Sequence, residues 1–162
     1  MIRVPDFDGE NGYLPIGCHE CDLDTFKQHF VVDFDSSKNR PKIYKKYLKY
    51  TKRFKKILIK IWLNGSYTTL KKEPNDLDIV VHYDVNIANK LNKITFAEKM
   101  AFNDQSSIKK EYMCHTFPIP IYPTNDPRNI LSEKQSNKAL KWFSKDRDGI
   151  EKGIVEIKYR SN

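Results

Sequence analysis

ILIKIWLNGSYTTLKKEPNDLDIVVHY, residues 57–83, is the stretch that decides the fold. Its opening, Ile57 to Leu63, is continuous and β-branched, the pattern of a strand buried on both faces. Leu77 to Tyr83 predicts a second strand, and between the two lies a short turn-and-helix segment ending at Pro74-Asn75. Gly65 and Ser66 follow the first strand directly, and after nine more residues Asp76 and Asp78 open the second. Alternate strand residues share a face at roughly 6.5–7 Å. The two carboxylates can therefore converge on one Mg²⁺ (or Mn²⁺), a hard cation that takes oxygen ligands together with nucleotide phosphates. Leu77 points into the core between them. Gly65 permits a tight turn and close approach of a phosphate to the backbone. Ser66 can donate its hydroxyl beside amides that face anionic oxygens. Lys71 and Lys72 lie close behind, where one can reach a triphosphate or both can stay on the surface.

Upstream, Ile43, Tyr47, Tyr50 and Phe54 recur at helical spacing and set one apolar stripe against a lysine face. Residues 33–41, with Ser36-Ser37 and Pro41, read as a turn. A short helix starts near Asp24, turns Phe26, Phe30 and Val31 inward, and takes Asp22 or Asp24 as its cap. Residues 1–17 are an ordered-loop leader rich in Gly and Pro. Downstream, residues 86–104 suit a helix with Ile87, Leu91, Ile94 and Met100 or Ala101 inward. Tyr112 to Tyr122 predicts a third strand, and its prolines mark an edge or an exit from the sheet. A helix near 133–145 carries Leu140, Trp142 and Phe143, and Ile154 to Tyr159 is the last strand. Trp62, Trp142 and Phe143 read as core, His29 and His82 as structural. The order is mixed α/β (α+β), a small mixed sheet flanked by helices. One domain is expected over residues 1–162, with 1–38 as an N-terminal extension and 39–162 as its core.

The chain has 162 residues, 39% hydrophobic and 12% aromatic, enough for one core and too apolar for a disordered chain. No run approaches the roughly 18 apolar residues of a membrane span. The start, Met-Ile-Arg-Val-Pro-Asp, lacks the apolar stretch of a signal peptide, so a cytoplasmic location is expected. Three cysteines are an odd number for a disulfide framework and fit reduced thiols. The net charge of +8 favours anionic partners. Lysines and arginines crowd residues 38–60 while acids crowd the first 35, and pairing of these two segments is the simplest account of both.

The string GSYTTLKKEPNDLDIVV resembles the GS…DxD signature of the nucleotidyltransferase (polymerase-β-like) superfamily, above all its minimal bacterial members. The leader YLPIGCHECDLDTF and the ending KGIVEI resemble an uncharacterised bacterial group of that kind. The resemblance implies the nucleotidyltransferase fold and transfer of a nucleoside monophosphate, AMP foremost, from an NTP such as ATP. The acceptor would be a hydroxyl on a protein, a nucleic acid or a small molecule. Gly65 and Ser66 would then bind phosphate, while Asp76 and Asp78 bind Mg²⁺. It also implies a setting in a bacterial toxin–antitoxin or phage-defence pair, with a protein partner encoded by a neighbouring gene. Active members carry a third carboxylate on a neighbouring strand, and His115 stands at that position here. A histidine can serve as general base, its ordinary pKa being about 6.5, but brings less negative charge to a metal. Glu111, of the same strand parity, is the alternative. The departure leaves an enzyme or a nucleotide-binding pseudoenzyme open.

Two other chemistries deserve weighing. Cys18-His19-Glu20-Cys21 offers half a zinc site, which Cys114 and His115 would have to complete. Those two, adjacent on a strand, face opposite ways, so small buried thiols are the better reading. The lysine-rich helix 42–56 can hold nucleic acid by its phosphates, with Tyr44, Tyr47 or Tyr50 stacking. A buried aromatic stripe beneath a solvated lysine face explains the same pattern more simply.

Overall fold

A computed structural model describes residues 3–91, 102 and 104–160. Five strands form one mixed sheet: β1 (Cys18–Glu20), β2 (Leu58–Asn64), β3 (Leu77–Asp84), β4 (Cys114–Ile121) and β5 (Ile154–Lys158). Their order is β1-β5-β2-β3-β4. The outer pairs β1/β5 and β3/β4 run parallel, and the inner pairs β5/β2 and β2/β3 antiparallel. The described helices include α1 (Leu23–Phe30), α2 (Asn39–Phe54), α3 (Val85–Asn89), α4 (Gln105–Tyr112) and α5 (Asn129–Phe143). The expected mixed α/β layering is present, and β4 with Pro118 and Pro120 lies at the sheet edge as its prolines require. Among the described residues no helix is long and apolar enough to cross a membrane.

The alternation of side chains gives the sheet two unlike faces. Ile61, Leu63, Leu77, Ile79, Val81, Val155 and Ile157 point to an inner face packed with Phe26, Phe30, Ile43, Tyr47, Tyr50 and Phe54 of α1 and α2. Leu58 joins that face despite its odd spacing from Ile61, because the β2–β3 register shifts between Leu58 and Lys60. One extra residue in a strand reverses the parity beyond it. The outer face carries Lys60, Trp62, Asp78, Val80, His82, His115, Phe117, Ile119, Ile154 and Glu156. Ala139 and Phe143 of α5 cover only part of it.

Several local expectations are corrected. Residues 33–41 are not a plain turn: a 3₁₀ turn spans Val32–Phe34, and α2 begins at Asn39. Pro41 is accommodated because a first helical turn has no amide partner to lose. The segment 112–122 is not all strand. Tyr112 ends α4, Met113 takes a left-handed φ of 52°, and β4 starts at Cys114. The helix expected at 133–145 starts four residues earlier, at Asn129. Trp142 on it is 44% exposed and not core, whereas Trp62 and Phe143 are buried. In the helix expected at 86–104, α3 covers Val85–Asn89, capped by Asp84. Ile94, Met100 and Ala101 lie outside the described residues. Residues 3–17 of the leader are loop and turn as expected, and directly after them β1, not expected, extends the sheet beside β5. Among the described residues no ion pair joins the acids of the first segment to the lysines of 38–60. Asp22 caps α1, Asp33 accepts from Gln28 at 2.7 Å, and Glu20 pairs with Lys158 at 2.7 Å.

Two polar anchors, one buried and one half-buried, tie the loop after β2 to α2. Arg40 is wholly buried, and burial pushes its pKa down to about 10. It donates to the carbonyls of Phe30, Tyr67, Thr69 and Lys71 at 2.6–3.0 Å, with its guanidinium 3.6 Å from the Phe34 ring centre. Removing a charge from water costs several kcal/mol, which these four acceptors on Nη1 and Nη2 offset, while Nε has no partner among the described residues. Glu73 accepts from the Lys38 and Asn39 amides at 2.9 Å each, closing the open amides at the start of α2. These bonds hold its carboxyl below the usual range. The chain from Tyr67 to Glu73 is thus fixed from two sides, and with it the approach to Asp76.

Candidate functional site

The site begins where β2 ends. Asn64 is buried; its amide nitrogen donates to the Phe143 carbonyl and its oxygen accepts from Thr68 at 3.1 Å. Gly65 then turns the chain at φ +81°, opening a 3₁₀ turn over Gly65–Thr68. A Cβ at this position would lie 2.9 Å from the carboxyl carbon of Asp78. Glycine is therefore required twice, by backbone conformation and by the carboxylate packed against it. Ser66 follows half-buried, its hydroxyl without a partner among the described residues.

Asp76 stands immediately before β3 and Asp78 within it, on the same side of the strand, with side chains 26% and 32% exposed. Burial, then the charge of Asp76, raises the Asp78 pKa; His115 and Lys152 pull the other way. β4 pairs in parallel with β3 and sets His115 opposite Asp78, its Nδ1 3.3 Å from Oδ1. The chain thus brings Gly65, Asp76, Asp78 and His115 together. Glu111 is excluded: it lies in the last turn of α4, paired with Lys49 at 3.3 Å and Arg53 at 3.5 Å. No contact joins Lys71 or Lys72 to the two carboxylates; both are exposed, and Lys72 lies by Glu73.

Two other lysines take the places beside the pair. Lys109 of α4 stands 2.9 Å from Asp76 Oδ2, an ion pair that raises its pKa. Lys152, just before β5, is only 7% exposed and donates to the Gly65 carbonyl at 3.3 Å. Burial lowers its pKa while Asp78 and Asp146 work against that shift. The sequence carries a faint sign of Lys152, a lone cation directly before Gly153 and a strand; Lys109 has none.

Among the described residues no three His, Cys, Asp or Glu side chains are grouped to hold an ion. Two carboxylates nevertheless suit Mg²⁺, which commonly takes one or two from protein and the rest from phosphate and water. Burial first, and then the charge of Asp76, disfavour the ionised form of Asp78, and a bound cation would offset both. Zinc is another matter. Cys18 and Cys21 lie at the β1 edge and Cys114 and His115 at the β4 edge, four strand spacings or roughly 19 Å apart. Cys21 is buried as expected, whereas Cys18, expected buried, is an exposed residue of the edge strand. Desolvation nonetheless pushes the Cys18 thiol up to about 11 and Cys21 to about 12, away from the thiolate a metal needs.

A family model matches residues 5–158, almost the whole chain; it describes a family of unknown function, DUF6932. This chain belongs to that family. Neither a curated protein nor a solved structure matches it. In this DUF6932 member the matched span takes in both edges of the sheet, Gly65, the two carboxylates, His115 and Lys152. The helix proposed to hold nucleic acid has its tyrosines inward. Tyr44, Tyr47 and Tyr50 are buried and cannot stack on bases, while Lys46 and Lys49 bond Glu111.

Proposed function

We propose that this chain is a nucleotidyltransferase of the polymerase-β-like fold, moving a nucleoside monophosphate, AMP foremost, from an NTP to a hydroxyl on a protein or other acceptor. The observation that carries the reading is the packing of the Asp78 carboxylate on the bare backbone of Gly65, with Asp76 on the same side of the strand. Asp76 and Asp78 would hold Mg²⁺, which when bound would offset phosphate charge and polarise the transferred group. Gly65 and the Ser66 hydroxyl leave room and a donor for phosphate oxygens. Lys152 supplies a fixed positive charge beside the turn, where pyrophosphate would depart. The acceptor oxygen bonds to the α-phosphorus as the bond to pyrophosphate breaks, and His115 takes the hydroxyl proton. Asp78, 3.3 Å away, steadies the imidazolium that results.

Incubation with α-labelled ATP and Mg²⁺ is expected to label the chain itself or a protein encoded next to its gene. Asp78→Asn should lower that labelling at least about a hundredfold. Equal labelling by wild type and variant would sink the reading. A second reading, a nucleotidyltransferase-fold protein that binds a partner without transfer, is favoured by His115 in place of a third carboxylate and by the hold of Lys109 on Asp76. Under it no label appears, and partner binding survives Asp76→Ala and Asp78→Ala.

A further inference from the structure

The outer face holds an aromatic run that leaves the smaller core through Phe117 and ends beyond it on exposed Trp142. His115 and Phe117 lie two residues apart on β4, rings 4.4 Å between centres, and Phe117 meets Trp142 of α5 edge-on at 4.8 Å. The run starts at the Asp78 carboxylate, 3.3 Å from His115, and ends on an indole left 44% exposed. Its neighbour Phe143 is turned inward with Ala139 and Ile154, which leaves the adjacent position, Trp142, on the outside of α5. An exposed indole forgoes one of the largest burial gains any side chain offers, and such residues recur where a ligand supplies the missing contact.

We infer that Phe117 and Trp142 form the seat of the nucleobase of a bound nucleoside triphosphate. The inference rests on the nucleotidyltransferase reading of Asp76 and Asp78, and adds to it the residues that would hold the base. With the phosphates at Gly65 and the two carboxylates, the base must lie some way along the outer face. The direction from Asp78 through His115 leads to Phe117 and Trp142 within two ring contacts. Every base presents a π-face to such a platform, and the stack contributes roughly 1–3 kcal/mol per base. The seat therefore sets affinity more than identity, with purines favoured by their larger face.

Binding of three probes to the full-length chain tests this: Mg²⁺ with ATP, Mg²⁺ with tripolyphosphate, and adenosine alone. ATP should bind about tenfold tighter than tripolyphosphate, as a stack of about 1.4 kcal/mol requires. Adenosine should quench the emission of Trp142, in wild type and in Asp78→Asn alike. Trp142→Ala should bring ATP down to the affinity of tripolyphosphate and leave tripolyphosphate unchanged, with Trp142→Phe restoring most of the difference. Unchanged tripolyphosphate binding also shows that the alanine variant is folded. If ATP keeps its full affinity in Trp142→Ala, or gains nothing over tripolyphosphate in wild type, the base seat is refuted while the phosphate site stands. If neither ATP nor tripolyphosphate binds wild type, the parent reading falls and takes the seat with it.

Discussion

On the inner face of the sheet Phe26, Tyr47, Tyr50 and Tyr67 are wholly buried, and even the phenol oxygens are used sparingly. Tyr47 shares a 2.7 Å hydrogen bond with Tyr159, and the Tyr50 hydroxyl has no partner among the described residues. On the outer face of the same strands stand Lys60, Asp78, His82, His115 and Glu156. Glu156 there accepts from Lys60 at 2.9 Å and Trp62 at 2.7 Å. One strand pattern thus supplies both a packed core and a set of titratable groups. The inner positions repay change with lost stability, because dense packing leaves a cavity behind every truncation. The outer positions are held by neighbours on other elements, so change there should show in chemistry before it shows in folding.

Truncation of the inner face should give the largest loss. Tyr47→Ala is expected to destabilise the fold by about 3–5 kcal/mol, read from the midpoint of urea unfolding at unchanged slope. A loss under about 1 kcal/mol would mean that α2 is not a principal cover of the sheet. Next comes the border between the faces. Gly65→Ala forces an L-residue to φ +81° and sets a Cβ against the Asp78 carboxyl. Strain of that kind costs about 1–3 kcal/mol. Stability should fall by about 2–3 kcal/mol, and Mg²⁺-dependent labelling should vanish with it. A variant that melts like wild type would show that Asp78 can move away, and the contact that carries the functional reading would be loose.

The pattern 57–83 made both strands legible, since β-branched runs and the Gly-Ser and Asp-x-Asp spacings are properties of neighbouring residues. His115 came from the resemblance, which aligns it with a third carboxylate, and the parallel pairing of β4 with β3 sets it beside Asp78. Lys152 and Lys109 were not legible. Lys152 reaches Gly65 across 87 positions of sequence, and no local period encodes a contact made by strand order alone. Glu111 went wrong for a local reason: the left-handed Met113 separates helix from strand, and a methionine gives no sign of that conformation as a glycine would. Trp142 was assigned inward on hydrophobicity, yet adjacent helix positions cannot both face the sheet, and Phe143 holds the seat. β1 was missed because three residues carry too little periodicity to be read.

His82 allows a finer test, since it is an outer-face group with the burial of an inner one. It is 1% exposed, its ring set edge-on to Trp62 at 4.4 Å. Among the described residues neither ring nitrogen has a hydrogen-bond partner of ordinary geometry, a weak contact to the backbone of Lys60 aside. Burial, with the positive charge of Lys60, lowers its pKa to about 4; the charge of Glu156 opposes the shift. The unfolded chain titrates near 6.5, so between these values the unfolded state binds the extra proton. Stability from this group is then fully present above about pH 6.5, declines as pH falls, and levels off below about pH 4. Between pH 7 and pH 5 the loss should be about 1–2 kcal/mol more in wild type than in His82→Leu, measured by urea unfolding at each pH. Subtracting the variant removes the carboxylates that titrate in the same range. Parallel curves would mean that the imidazole finds water or a partner when charged, and that this stretch of the outer face is as open to solvent as the carboxylate end.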